Sequence, residues 1–172
     1  HGTLTVLMDG EAVETTSFRI DGSYSDSRHP EKVEFTSSLP EDLSRRDFTI
    51  NALAFSLQEE DYGALVDPFN GMEDLRNGLI RTPLDPDTTY SDDPLRMIRA
   101  IRFATQLGFT IVPESLESIR RNKERLSILS RERIAEELNK ILVTPKPSLG
   151  FRLLDETGLL DYILPQLSKL KG

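Results

Sequence analysis

The apolar positions of this chain follow one rhythm at its start and another at its end. From Thr3 to Met8 apolar and polar residues alternate with the period of a strand, Asp9-Gly10 supplies a tight-turn dipeptide, and Glu11 to Ile20 alternates again. This predicts a β-hairpin. Residues 21–40 are polar and rich in Ser, Gly and Pro, which predicts a long loop around one short strand, Lys32 to Phe35. Between Glu41 and Phe55 acidic residues open a helix, Leu43, Phe48 and Ala52 keep helical spacing, and apolar alternation then resumes as a strand. Tyr62 to Arg81 reads as a short strand, a Pro/Asn/Gly turn, a brief helix and a last short strand. In the turn, Asp67 before Pro68 is expected to bond the backbone, with Asp74 on its other flank.

Helical spacing dominates from Ser91 onward. Thr82 to Tyr90, with Pro83, Pro86 and little apolar content, is the candidate boundary. Ser91 to Leu107 predicts a helix with Ser91 as N-cap, Asp92, Asp93 and Pro94 in its first turn and Gly108 as its stop. Its apolar side is Met97, Ala100, Ile101, Ala104 and Leu107. Further helices are expected at Pro113–Arg121, at Ser130–Leu142 with Ile134, Leu138, Ile141 and Leu142 on one side, at Pro147–Thr157 before Gly158, and at Leu159–Leu164. The whole reads as an α+β chain: an antiparallel-rich sheet with a helix over residues 1–83, then an all-helical part over 84–172.

Composition sharpens this division. The net charge is −8, but residues 1–90 hold 7 Lys/Arg against 18 Asp/Glu, whereas residues 91–172 hold 14 against 11. An acidic half suits divalent metal and a basic half suits phosphate, although a solvated surface of mixed sign gives the same counts. No apolar run approaches the ~18 residues of a membrane span. Cysteine is absent, which fits a cytosolic protein, and His1 and His29 are expected to be ordinary exposed side chains. The chain starts His-Gly-Thr-Leu, without an initiator Met or a signal-peptide pattern, and is expected to be a piece that begins in mid-fold.

Two stretches carry candidate chemistry. In Ser91–Leu107, Asp92, Arg96 and Arg99 share a helix side at spacings of four and three. A carboxylate beside a guanidinium can accept from the exocyclic amine of cytosine or adenine and donate to the adjacent ring nitrogen. Uracil and guanine invert that pattern, and a site built on hydrogen bonds rejects such a mismatch by ~10⁴–10⁵ at best. The competing reading is a surface helix pair with no ligand. In Arg45-Arg-Asp-Phe-Thr-Ile-Asn51, Asp47 and Asn51 stand one helical turn apart and can hold a ribose hydroxyl, while Arg46 can meet a triphosphate with its planar fork. Capping and salt-bridge roles compete here too. Glu14 on the second strand is either a solvent-facing side chain or a metal ligand.

Four segments, Arg45-Arg-Asp-Phe-Thr-Ile-Asn-Ala52, Asp67-Pro-Phe-Asn-Gly-Met-Glu-Asp-Leu75, Asp92-Asp-Pro-Leu-Arg-Met-Ile-Arg-Ala-Ile-Arg-Phe-Ala104 and Ser130-Arg-Glu-Arg-Ile-Ala-Glu-Glu-Leu138, stand in one order. Together they resemble the class II tRNA nucleotidyltransferase/poly(A) polymerase family, the group of the CCA-adding enzymes. The resemblance implies a partial nucleotidyltransferase palm, or head, over 1–83 and a helical neck over 84–172. It implies RNA 3′-end extension in the cytoplasm, most like CCA addition to tRNA from CTP and ATP with release of pyrophosphate. Poly(A) synthesis, or nucleotide and RNA binding without catalysis, are the alternatives.

The resemblance also assigns residues. Arg46, Asp47 and Asn51 map onto the family's triphosphate and ribose contacts, Asp92, Asp93 and Arg96 onto its base template, and Arg99 near the phosphates. Asp92 stands where a longer Glu also occurs. Family members carry, upstream of the first hairpin, a Gly-Gly loop and an Asp-x-Asp pair that binds two Mg²⁺ ions, and this sequence holds neither. Glu14 falls near a further acidic position of the family and is the candidate catalytic or metal-binding carboxylate here. One carboxylate cannot clamp two metals, so this piece alone is expected to be inactive. The family's body and tail domains are likewise expected to be lacking, and the truncated sheet edge is expected to favour self-association.

Overall fold

The computed structural model describes residues 3–21 and 33–170. Asp9 and Gly10 both adopt positive φ, 50° and 87°, the twist that two-residue hairpins require. They join β1 (Thr3–Met8) to β2 (Glu11–Thr16) in an antiparallel ladder that places Val6 opposite Val13. The alternation expected to run from Glu11 to Ile20 breaks at Ser17 and Phe18. A separate strand, β3 (Arg19–Asp21), pairs antiparallel with β4 (Val33–Phe35). His1, His29 and most of the predicted long loop lie outside the described residues.

Ser38 caps α1 (Leu39–Ser44) by accepting the Glu41 N–H. The helical spacing of Phe48 and Ala52 does not extend this helix. Asp47 accepts the N–H of Phe48, a local bond that competes with the helix, and the chain re-forms only as a 3₁₀ turn over Thr49–Asn51. β5 (Ala54–Phe55) and β6 (Leu65–Val66) then pair antiparallel, with a 3₁₀ turn at Glu59–Asp61 between them. Next come α2 (Gly71–Asn77) and β7 (Leu79–Ile80). Asp67 receives the N–H groups of Gly71 and Met72 at 2.7 and 3.0 Å, closing the turn as expected. Gly71 is needed there, since a Cβ would stand 2.1 Å from the Thr49 carbonyl oxygen.

The proline-containing stretch read as the candidate boundary, Thr82 to Tyr90, holds the start of a helix, α3 (Pro86–Asp92). Asp85 caps it by accepting the Thr88 N–H, Pro86 starts it, and Tyr90 is fully buried. The chain breaks at Asp93 before α4 (Leu95–Leu107). The predicted Ser91 cap is therefore incorrect: Ser91 lies within α3, and Asp93 serves the new helix by accepting the Leu95 N–H at 3.1 Å. Gly108 ends α4 at φ 71°. β8 (Thr110–Ile111) interrupts the helical half and pairs parallel with β7. There follow α5 (Pro113–Asn122), a 3₁₀ segment Lys123–Ile128, α6 (Arg131–Leu142) capped by Ser130, α7 (Pro147–Thr157), α8 (Leu160–Ile163) and α9 (Pro165–Ser168).

The core surrounds α4. Met97, Ile98, Ala100 and Ile101 are fully buried among Phe48, Ile80, Tyr90, Ile119, Ile141 and Leu154. Leu107 and Leu142, assigned to apolar faces by spacing, are about half exposed because each stands at a helix end. At Gly150 of α7 an added Cβ would lie 2.5 Å from Ile141 and 2.8 Å from Thr105, so this glycine sets how closely α7 approaches α4 and α6. No helix among the described residues is long and apolar enough to cross a membrane.

Candidate functional site

Where α1 ends and α4 begins, the two segments border an open cleft of about 380 Å³, lined by Arg45, Arg46, Asp47, Asn51, Asp93, Leu95, Arg96, Arg99 and Arg133. That volume lies in the range of small-molecule sites. Six of the seven residues expected to bind nucleotide meet here, brought from two stretches more than forty residues apart. The seventh, Asp92, does not line the cleft. It is the last residue of α3, so the spacing that put it on one helix face with Arg96 does not hold.

Each charged group on the wall is held by a particular partner. Asp47, largely buried, accepts from the Phe48 N–H and the Asn51 amide through one oxygen, and from Arg99 Nε and Nη2 through the other at 2.8 and 2.5 Å. The carboxylate thereby fixes the Arg99 fork and the Asn51 side chain together. Arg99 also faces the ring of Phe103, which meets Phe48 edge-on with centroids 5.7 Å apart. Arg96 donates from Nη2 to the Arg45 carbonyl at 2.8 Å and from Nη1 to that of Thr89 at 3.5 Å. Asp93 faces Arg133 of α6 at 3.3 Å, with both side chains about a quarter exposed.

Beneath the rim lies Asp42, 1% exposed, which receives Arg45 and Arg46. Burial by itself would raise the Asp42 carboxyl. Hydrogen bonds from Arg45, from the Arg19 backbone N–H and from Arg46, with the charge of Arg45, outweigh it and hold the group below the ordinary carboxylate range. Burial drives the Tyr90 phenol well above its usual range, with the Asp47 charge adding to the shift, so Tyr90 stays protonated beneath the cleft.

Five arginines against two aspartates make this wall strongly positive, and planar guanidinium forks suit a polyanion such as a triphosphate. Arg45 and Arg133 were not singled out from the sequence. Arg45 was readable as the first residue of the Arg-Arg-Asp run, whereas Arg133 reaches the cleft from α6, a contact that no local spacing encodes. Glu14 lies apart from this cleft, exposed on β2 opposite Thr5. Among the described residues no group of three or more His, Cys, Asp or Glu side chains is placed to hold a metal ion.

Residues 1–81 match the family described as Poly A polymerase head domain, and residues 108–171 match the one described as Probable RNA and SrmB- binding site of polymerase A. The CCA-adding enzyme of Geobacillus thermodenitrificans is 44% identical over 98% of this chain, which spans 41% of that relative. That of Levilactobacillus brevis is 47% identical over 94% of the chain and 40% of the relative. The chain thus spans about two fifths of the length of these relatives. Among solved structures, the Bacillus stearothermophilus CCA-adding enzyme in complex with CTP superimposes with a TM-score of 0.86 at 39% identity, covering 98% of this chain and 40% of that one. The Thermotoga maritima CCA-adding enzyme complexed with tRNA gives 0.79 at 29% identity, covering 95% and 36%. With both family matches in the expected order and relatives of this similarity along nearly its full length, the chain belongs to the tRNA nucleotidyltransferase/poly(A) polymerase family.

Proposed function

We propose that this chain forms the nucleotide-holding part of a cytoplasmic RNA 3′-end nucleotidyltransferase that completes tRNA with CCA. In this reading residues 1–83 belong to the catalytic head and residues 84–172 to a helical neck. The substrates are CTP, ATP and the tRNA 3′ end. The terminal ribose hydroxyl attacks the α-phosphate of the bound nucleotide, the new phosphodiester forms, and pyrophosphate leaves. The observation that carries the reading is the meeting of the Arg45–Asn51 set and the Asp93–Arg99 set in one positive cleft. The names of the relatives, and the CTP and tRNA in their solved complexes, support it.

The roles follow from the contacts. Arg45 and Arg46 meet the phosphates and Arg99 completes the cationic wall, held in register by Asp47. Asn51 faces the ribose, and Asp47 acts through the groups it fixes because its oxygens are already engaged. Asp93, the cleft-lining acid that stands at the start of the Arg96 helix, pairs with Arg96 to read the amine and ring nitrogen shared by cytosine and adenine. The complete enzyme is expected to use Mg²⁺. The described residues do not fit that ion, since Glu14 is a lone exposed carboxylate, and no step above is routed through a metal. The edges of the β1–β2 ladder, which pair with no further strand among the described residues, extend the proposal to self-association.

Titration calorimetry with CTP, ATP, UTP and GTP tests the assignment. CTP and ATP should bind and UTP and GTP should not, and Arg96→Ala should weaken the binding pair about tenfold or more. Equal binding of all four would remove the base-reading role. Binding of ATP without CTP would favour poly(A) synthesis, the reading that the head-domain family description favours. A protein that binds nucleotide and RNA but incorporates no nucleotide would be a non-catalytic module, the reading favoured by Glu14 standing outside any acidic cluster among the described residues.

A further inference from the structure

The arginines of the cleft differ in how far their donors are already committed. Arg99 spends Nε and Nη2 on Asp47, and Arg96 spends two donors on backbone carbonyls. Arg45 gives Nε and Nη2 to Asp42 at 3.1 and 2.5 Å, with Nε also shared with the Arg19 carbonyl. Arg46 differs: among the described residues it makes a single Nη2 donation, to the other Asp42 oxygen at 3.0 Å, and its side chain is 41% exposed. Its Nε is buried with no hydrogen-bond partner among the described residues. A guanidinium held at one corner, on a side chain that lines an open cleft and is partly exposed there, is arranged to grip an incoming anion.

We infer that Asp42 is a positioning residue for nucleotide binding: its buried carboxylate aims Arg46, and with it Arg45, at the triphosphate. The inference rests on the reading of the cleft as a triphosphate site. The geometry requires an acid at position 42. Asp42 lies one turn before both arginines, at i+3 and i+4, so one carboxylate reaches both guanidinium groups from inside α1. Its Oδ1 also accepts the Arg19 N–H at 3.2 Å, which ties the arginine pair to β3. The Arg45 carbonyl in turn receives Arg96, so displacement of Arg45 would be felt by the base-reading guanidinium as well. Asp42 is buried and does not line the cleft, so it acts through the arginines.

The sign of the expected effect separates positioning from simple electrostatics. Removing a negative charge close to an anion site should tighten anion binding if charge alone mattered. Positioning predicts the reverse. In titrations of the whole chain with tripolyphosphate, CTP and CMP, Asp42→Asn should weaken tripolyphosphate and CTP about tenfold while shifting CMP less. Asp42→Asn combined with Arg46→Ala should weaken binding by clearly less than the product of the two separate effects, because both changes act on the one Asp42–Arg46 contact. Unchanged or tighter tripolyphosphate binding in a folded Asp42→Asn chain, or full additivity in the double variant, overturns the inference.

Asp42→Glu covers the case of an Asn variant that does not fold. It keeps the charge but lengthens the side chain in a slot with no spare exposure, so tripolyphosphate binding should fall about threefold, and wild-type affinity would overturn the inference. Loss of CTP-over-UTP selectivity in the wild-type chain, with tripolyphosphate still bound and still sensitive to Asp42→Asn, would sink the base-reading proposal and leave Asp42 in its role. Failure of the wild-type chain to bind tripolyphosphate or CTP overturns both.

Discussion

Every residue of β1 and β2 is exposed, with Leu4 at 70% and Leu7 at 76%, whereas seven of the thirteen residues of α4 are buried and four of those are entirely covered. Both elements have clear local signals, and they are held by different forces. The hairpin rests on its ladder and on the backbone twist of Asp9-Gly10. Helix α4 rests on side chains converging from α3, α5, α6, α7 and the segment around Phe48. Cleft residues attached to α4 therefore stand on a stiff support, since Arg96 and Arg99 leave the same helix that fills the core. Two-stranded ribbons, by contrast, are marginal in water on their own.

The largest effect that would test this contrast is a cavity under the cleft. Ile101→Ala should cost about 2–5 kcal/mol in urea unfolding followed by circular dichroism, and a loss below about 1 kcal/mol would mean that α4 is not the support described. A smaller effect concerns acid. The Asp42 carboxyl binds its proton less readily in the folded chain than in the unfolded one, so the stability it adds is complete above about pH 4 and is lost as the pH falls through the lower folded value. Amide exchange on acidification should open Arg19 and residues 42–46 before Ile98 and Ile101, and Asp42→Asn should remove the pH dependence of that opening. The smallest effect belongs to the hairpin. Leu7→Thr should change stability by less than about 0.5 kcal/mol while lowering the apparent mass of concentrated samples in size-exclusion light scattering. A large destabilisation would show that the ribbon is packed rather than exposed.

Elements whose ends are set by a single residue were legible in the sequence. Gly108 and Gly158 end their helices, Ser130 caps α6 through the Arg133 N–H, and Asp67 closes its turn. Helix α3 was hidden because two prolines and few apolar residues resemble a linker. The signal lay in Asp85-Pro86, a cap followed by a helix-compatible proline, with Tyr90 as the side chain to be buried. The same error misplaced Ser91 and with it Asp92, since a helix assumed to run through Asp93 puts Asp92 on the face of Arg96, whereas Asp93 is the one that lines the cleft with it. In the cleft, residue types chosen for their chemistry proved to be neighbours. Their internal pairings, Asp47 with Arg99 and Asp93 with Arg133, depend on how α1, α4 and α6 converge, and no periodicity along one segment carries that information.

The parallel pairing of Leu79-Ile80 with Thr110-Ile111 has a consequence for the order in which the chain assembles. When synthesis has reached β7, its partner does not yet exist. The intervening residues, which supply α3 and α4, must emerge and fold back before the ladder can close, and the entropy lost on closure falls on that step. The cleft inherits this delay. Arg46 and Asp47 are made early, but Arg96 and Arg99 arrive on the very segment the ladder encloses and Arg133 only after it, so anion binding should emerge late in folding, no sooner than the closure of β7 on β8.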